Sequence, residues 1–231
     1  MRSEPDPPPI PELPTLGTGI RMLETEDRPI GPLHALVVDH VSLNRGPAYW
    51  IDTHGHATTQ PLARLVSDRR LLDRIQVARG FTPWQHYSLV QILTERINEN
   101  TSLLILPALD GMYRDDALRD GEGTTMLVRV LANLAGLARE YDLPILVTRT
   151  HDDGLTAPIE AAAVETIRCE RTRMGPRFTA ESFETLVYPL GNGQFQTTLA
   201  YWTEILSARQ PLYDAAQAGL QTPEVPVDGS Y

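Results

Sequence analysis

Between Gly19 and Thr150, short apolar runs alternate with segments of helical length and spacing, and this alternation limits the folds open to the chain. GIRMLETE reads as a strand and EDRPIGP as a loop. PLHALVVDHVSL has apolar residues at helical spacing, with Pro32 where a first helical turn tolerates it. NRGP reads as a turn, AYWIDT as a strand and residues 58–73 as a helix. RIQVAR is a strand, after which Thr82 caps a helix that runs to Ile97. SLLILP is a strand, residues 110–123 read as an exposed loop, TTMLVRVLANLAGLARE as an amphipathic helix and LPILVTR as the next strand. Strands alternating with helices of this length predict an α/β fold with a mainly parallel sheet and helices on both faces.

From Ala162 the pattern changes. VETIRCERTR, FETLVYPL and QFQTTLAYW read as strands joined by turns at MGPR and LGNG, which predicts C-terminal antiparallel strands added to the sheet. Residues 1–14 are proline-rich without the apolar stretch of a signal peptide, and predict a flexible tail. Residues 207–231 predict a second tail, leaving one folded domain over residues 15–206. No run approaches the roughly 20 apolar residues of a membrane-spanning helix, so no membrane contact is expected.

Composition narrows the chemistry. Thirty acidic residues face 20 basic ones, a formal charge of −10, and every basic residue is arginine. Without lysine there can be no GxxxxGK[ST] phosphate loop, whose lysine reaches the terminal phosphates, and no lysine Schiff base. The single Cys169 excludes a disulfide framework and a thiolate metal cage, and a cytoplasmic location is the expectation. An acidic, lysine-free chain suggests a halophilic source. In roughly 1 M salt the Debye length is about 3 Å, and acidic repulsion is screened. The same balance argues against a non-specific DNA coat.

Four stretches, taken in order, carry a family resemblance: LGTGIRMLE, HALVVDHVSLNRGPAYWIDT, RIQVARGFTPWQHYSLVQIL, and SLLILPAL with the long helix and LPILVTR behind it. Together they resemble the RecA/RadA-type recombinase core, shared with KaiC-like proteins, over roughly residues 15–205. An ATPase of that family needs a phosphate cradle, a carboxylate for the Mg²⁺ water shell, a glutamate that orients the attacking water, and a polar sensor. Set on this chain, the cradle falls at Gly31, Pro32 and Leu33, after a loop that holds Glu24, Glu26 and Asp27. The Walker B strand runs into Pro107, His54 stands at the catalytic glutamate, and Arg149 and Thr150 stand at the sensor. Four elements depart together, so the resemblance implies a RecA-like fold with degenerate ATPase motifs and no nucleotide cofactor. The function it implies is that of a RadA paralogue acting without catalysis, as an accessory or mediator in DNA recombination and repair. Its expected partner is a catalytic recombinase or another DNA-repair protein, with weak contact to single-stranded DNA. A KaiC-like regulatory pseudo-ATPase is the alternative on the same fold.

A third reading belongs to a different class. His54, His56, His151 and Asp152 all follow strands, and could meet at the carboxyl edge of the sheet as the metal site of a hydrolase. Against it, the chain is short for a (β/α)₈ barrel, and these histidines read first as solvated loop residues. Arg171, Arg173 and Arg177, around one turn, form the best phosphate-facing cluster for DNA, though arginines on an exposed hairpin are commonly just solvated. Trp50 and Trp84 read as core residues, Cys169 as a small buried hydrophobe, and Asp39 as a residue on a helix face with no further role.

Overall fold

Leu103, Leu104, Ile105 and Leu106 are all buried, the mark of a strand covered on both faces. Leu103 and Ile105 join one hydrophobic cluster and Leu104 and Leu106 another, as the two-residue period of a strand requires. The computed structural model describes residues 10–26, 30–173, 175–181, 183–186 and 198–219. Among these, eight strands form one sheet: β1 (Gly19–Thr25), β2 (Ala48–Asp52), β3 (Ile75–Arg79), β4 (Leu103–Leu106), β5 (Pro144–Val147), β6 (Glu165–Thr172), β7 (Gly175–Ala180) and β8 (Phe183–Leu186). Their order is β3-β2-β4-β5-β1-β6-β7-β8. The first six run parallel to one another, and β7 and β8 return antiparallel. The sequence predicts such an extension, although β7, which begins at Gly175 within the MGPR stretch expected to be a turn, is a strand that the sequence reading did not include.

The helices are α1 (Ile30–Leu43), α2 (Thr59–Leu65), α3 (Pro83–Arg96), α4 (Glu122–Glu140), α5 (Ala157–Ala162), α6 (Thr198–Ala208) and α7 (Gln210–Gly219). Leu33, Leu36, Val37 and Val41 of α1, with Leu62 and Leu65 of α2 and Trp202, Ile205 and Leu206 of α6, close one layer over Trp50. Val90 and Leu93 of α3, with Leu127, Val130, Leu131 and Leu134 of α4, close the other layer over Met22 and Ile145. Thr82 caps α3 through its side chain, which accepts from the Gln85 amide at 3.2 Å.

Several sequence readings need correction. The stretch read as a strand at QFQTTLAYW is helical from Thr198 onward, and residues 194–197 lie outside the described residues. Ile205 and Leu206 follow Trp202 at helical spacing, beyond the point where the strand reading stopped. The second tail is helix α7 up to Gly219, with Tyr213 buried. The first tail was drawn too long, because Leu13 is core. The helix expected over residues 58–73 is α2 followed, after an extended Val66, by a 3₁₀ turn over Arg69–Arg74. The loop 110–123 is not simply exposed: Asp110 and Tyr113 are buried around a 3₁₀ turn, Gly111–Arg114. Trp50 is core, but Trp84 is 48% exposed. Asp39 is buried and paired across the molecule with Arg209.

Arg74 shows how an exposed-looking arginine can serve the fold. Its guanidinium donates to the carbonyls of Val41, Asn44 and Gly46 at 2.6–3.0 Å. Val41 lies in the last turn of α1, whose carbonyls have no helical partner, and Asn44 and Gly46 follow the helix end at Leu43; a cation there also complements the helix dipole.

Candidate functional site

The parallel strands end in loops, and the cleft lies there, as sites on open α/β sheets do. Its volume is about 830 Å³. Leu23, Glu24, Thr25 and Glu26 come from β1 and its end, His54 and His56 from the loop after β2, Thr148–Asp152 from the end of β5, and Arg168–Glu170 from β6.

Arginine–carboxylate pairs fill much of this wall. Glu24 bridges two arginines, Arg149 through Nη2 and Arg168 through Nε at 3.0 Å. Arg149, whose side chain is only 11% exposed, also bonds to Asp152 at 2.8 Å and approaches Glu160 at 3.4 Å. Five carboxylates (Glu24, Glu26, Asp152, Glu160 and Glu170) therefore line the cleft with two guanidinium groups. Cys169 lies on the same wall, and burial, with Glu170 and Glu26 nearby, pushes its thiol up to about 12, so the sulfur stays protonated.

The loop after β2 is held by Asp52. Its Oδ1 accepts from the amides of His56 and Ala57 at 2.8 and 2.9 Å, while Oδ2 accepts from Arg79 Nε at 3.2 Å. The carboxylate at the strand end is thus engaged in closing the turn. His56 is buried and its Nδ1–H donates to the Thr53 carbonyl at 2.6 Å. His54 and Ala108 both sit in the left-handed region, at φ 57° and 49°, and both border the cleft. Such conformations cost a non-glycine residue free energy and persist only where the surroundings enforce them.

Asp110 is the buried carboxylate that sequence reading missed. Its Oδ1 accepts from the Thr150 amide at 2.7 Å, and Oδ2 accepts from the Thr150 hydroxyl and from Arg114 Nε, the latter at 2.6 Å. Arg114 then grips Asp153 with both terminal nitrogens at 2.8 and 2.9 Å. The Arg114 hydrogen bonds hold the Asp153 carboxyl down to about 2. This network ties the end of β4 to the end of β5. The available signal was a carboxylate four residues past a fully buried strand, beyond Pro107 where the strand reading ended.

The sequence-derived site residues divide. His54 and Arg149 border the cleft. Gly31, Pro32 and Leu33 form the first turn of α1, with Leu33 in the core. The Pro107 carbonyl accepts from the Thr53 hydroxyl at 2.9 Å. His54, His56, His151 and Asp152 do share the cleft, as the metal reading required. Among the described residues, however, no three His, Cys, Asp or Glu side chains are placed to hold a metal. Their polar atoms serve elsewhere: Asp152 on Arg149, His56 on Thr53, and His151 Nδ1 at 2.8 Å from the Thr150 hydroxyl. His56 is also not the solvated loop residue that was the alternative.

The three arginines of the β6–β7 hairpin do not share a face. Arg171 has the parity of Ile167 and Cys169, which enter the core, whereas Arg177 pairs with Glu170 on the opposite face. Arg177 is further tied to Glu184 of β8, and Arg173 lies at the turn.

No helix among the described residues is long and apolar enough to cross a membrane. No family model matches the sequence. Over 111 residues the chain is 28% identical to the DNA repair and recombination protein RadB of Thermococcus sibiricus, covering 46% of this chain and 48% of that protein. The chain therefore spans about half the length of the curated relative it matches. That similarity and the mainly parallel sheet with its antiparallel extension support a RecA-like recombinase relationship for this protein.

Proposed function

We propose that this protein serves DNA recombination and repair as a RecA-like accessory that performs no nucleotide chemistry. The observation that carries the reading is Glu24, whose carboxylate lies between Arg149 and Arg168 at the end of β1. A RecA-type site would hold anionic phosphate in this region; here an internal anion takes up the arginines, and further carboxylates line the wall. A triphosphate approaching five carboxylates and two guanidinium groups meets net repulsion. The absence of lysine from the chain points the same way.

The work of such a protein falls to its surfaces. A catalytic recombinase or another repair protein is the partner that the reading implies, in a halophilic cytoplasm. Single-stranded DNA would be touched only weakly, because Arg171 and Arg177 lie on opposite faces of their hairpin and share no surface for a backbone.

Calorimetry with ATP and Mg²⁺ in molar salt tests the nucleotide half of the reading. No heat of binding is expected, and micromolar affinity would overturn it. Light scattering of the protein alone and mixed with a catalytic recombinase of its own cell tests the other half. A mixed complex is expected; separate elution of the two, or long homopolymers of this chain, would count against an accessory role.

A further inference from the structure

Three buried polar atoms lie around the loop that follows β2, and none has a hydrogen-bond partner among the described residues: His34 Nδ1, Trp50 Nε1 and Thr58 Oγ1. They come from α1, from β2 and from the residue before α2. Two contacts bring them into one neighbourhood. The His34 and Trp50 rings meet edge-on with centroids 5.6 Å apart. His34 Nε2 and the Thr58 amide both donate to the His56 carbonyl, at 2.8 and 2.9 Å. The side chains of His34 and Trp50 are fully buried.

The hydrogen-bonding capacity left over is specific. Since His34 Nε2 faces a carbonyl, the ring proton belongs on Nε2 and Nδ1 is left as an acceptor. Burial lowers the basicity of the ring and keeps it neutral. The Trp50 indole is a donor only, and the Thr58 hydroxyl can do either. One acceptor, one donor and one group of both kinds match what a single water molecule offers, and a buried water usually makes about three such bonds. The alternative, three buried polar groups unpaired in one place, is rare in folded proteins.

We propose that an ordered water molecule is held between His34, Trp50 and Thr58, accepting from the indole, donating to His34 Nδ1 and bonding the Thr58 hydroxyl. The water joins α1 and β2 to the loop that carries His54 and His56 into the cleft. His34 is then a positioning residue, acting on the cleft through the His56 carbonyl and through the water. The inference goes beyond the functional reading and does not depend on it.

The test is nuclear magnetic resonance on the full, isotope-labelled chain at neutral pH. The His34 ring should show the Nε2–H tautomer with a hydrogen-bonded, unprotonated Nδ1. The Trp50 Hε1 resonance should show a cross-peak to a long-lived water. In a Trp50→Phe variant, Nε2 should stay protonated while the Nδ1 signal of His34 moves and amide exchange in the loop 53–58 quickens. Should that variant fail to fold, the wild-type spectra decide alone. An Nδ1-protonated His34, a direct coupling from the Trp50 indole to His34, or a Trp50 Hε1 without any water cross-peak would overturn the proposal.

Discussion

Arg209 and Asp39 form a buried two-bond ion pair, Nε to Oδ1 at 2.7 Å and Nη2 to Oδ2 at 3.1 Å, across 170 positions of sequence. The Tyr213 hydroxyl donates to the same Oδ1 at 2.6 Å, and Arg209 Nη1 donates to the Pro11 carbonyl at 2.5 Å. A single buried charge on α1 thereby fastens both α7 and the N-terminal segment. Replacing Arg209 by Met leaves the Asp39 carboxylate buried without its cation and should cost about 3–5 kcal/mol. The double replacement Asp39→Leu with Arg209→Met should recover most of that loss. Urea denaturation of the two variants in high salt checks both expectations, since salt screens a buried pair poorly.

Stability should fall with acid before the carboxylates titrate. Burial lowers the pKa of His34 and His40 and takes His86 down to about 4. In the unfolded chain these rings protonate near 6.5, so between about 6.5 and 4 the unfolded state binds more protons. Their contribution is full above about 6.5 and is lost as pH falls toward 4, His86 alone accounting for about 3 kcal/mol. Urea midpoints measured across this range should decline, and a His86→Asn variant should show a shallower slope by one proton.

Gly111 and His54 are coupled by space. A methyl group on Gly111 would lie 2.5 Å from His54 Nε2. The methyl meets the far end of an exposed side chain that can turn aside, so the Gly111→Ala variant should lose about 1 kcal/mol or less. In a background of His54→Gly, which also removes the strain of a left-handed histidine, the same substitution should cost almost nothing. Thermal melts of the four proteins complete the cycle, and equal costs in both backgrounds would disprove the coupling.

If Glu24 occupies the arginines that an anion would otherwise reach, its neutralisation should uncover them. A Glu24→Gln variant is expected to bind pyrophosphate more tightly than the parent protein in low salt, and Arg168→Ala added to it should remove the gain. Calorimetry gives the comparison directly. Equal affinity in parent and variant would show that Glu24 does not compete for the cleft.

The central part of the fold was legible because each strand and helix there carries its own periodicity. The run SLLILP, the Thr82 cap and the α4 stripe each specify local structure without help from distant residues. What escaped depends on partners far away in sequence. Asp39 looks like a polar blemish on an apolar helix until Arg209 is placed beside it. Asp110 follows a proline-broken strand end and acquires meaning only through Thr150 and Arg114. That His54, His151 and Asp152 meet at the carboxyl edge of the sheet was anticipated from their strand-end positions, but the pairing of Arg149 with Glu24, Asp152 and Glu160 was not, because side chains from different loops meet through geometry that no local pattern encodes. Trp84 was misplaced for a simpler reason: a tryptophan next to a helix-opening proline can face solvent when its helix buries the opposite side, here Val90 and Leu93.

The closure of the first core layer by α6 and α7 sets an order on biosynthesis. Helix α1 emerges from the ribosome early, yet Trp202, Ile205, Leu206 and Tyr213, which cover it, are made more than 150 residues later. Until then the nascent chain must carry Val37, Val41, Leu62 and Leu65 without their final cover, together with an Asp39 carboxylate that still faces water. That carboxylate keeps the waiting surface partly hydrated, and it becomes an anchor only when Arg209 arrives. A chain stopped before residue 198 would retain every parallel strand and still expose the apolar side of α1 and α2, a surface that invites premature association.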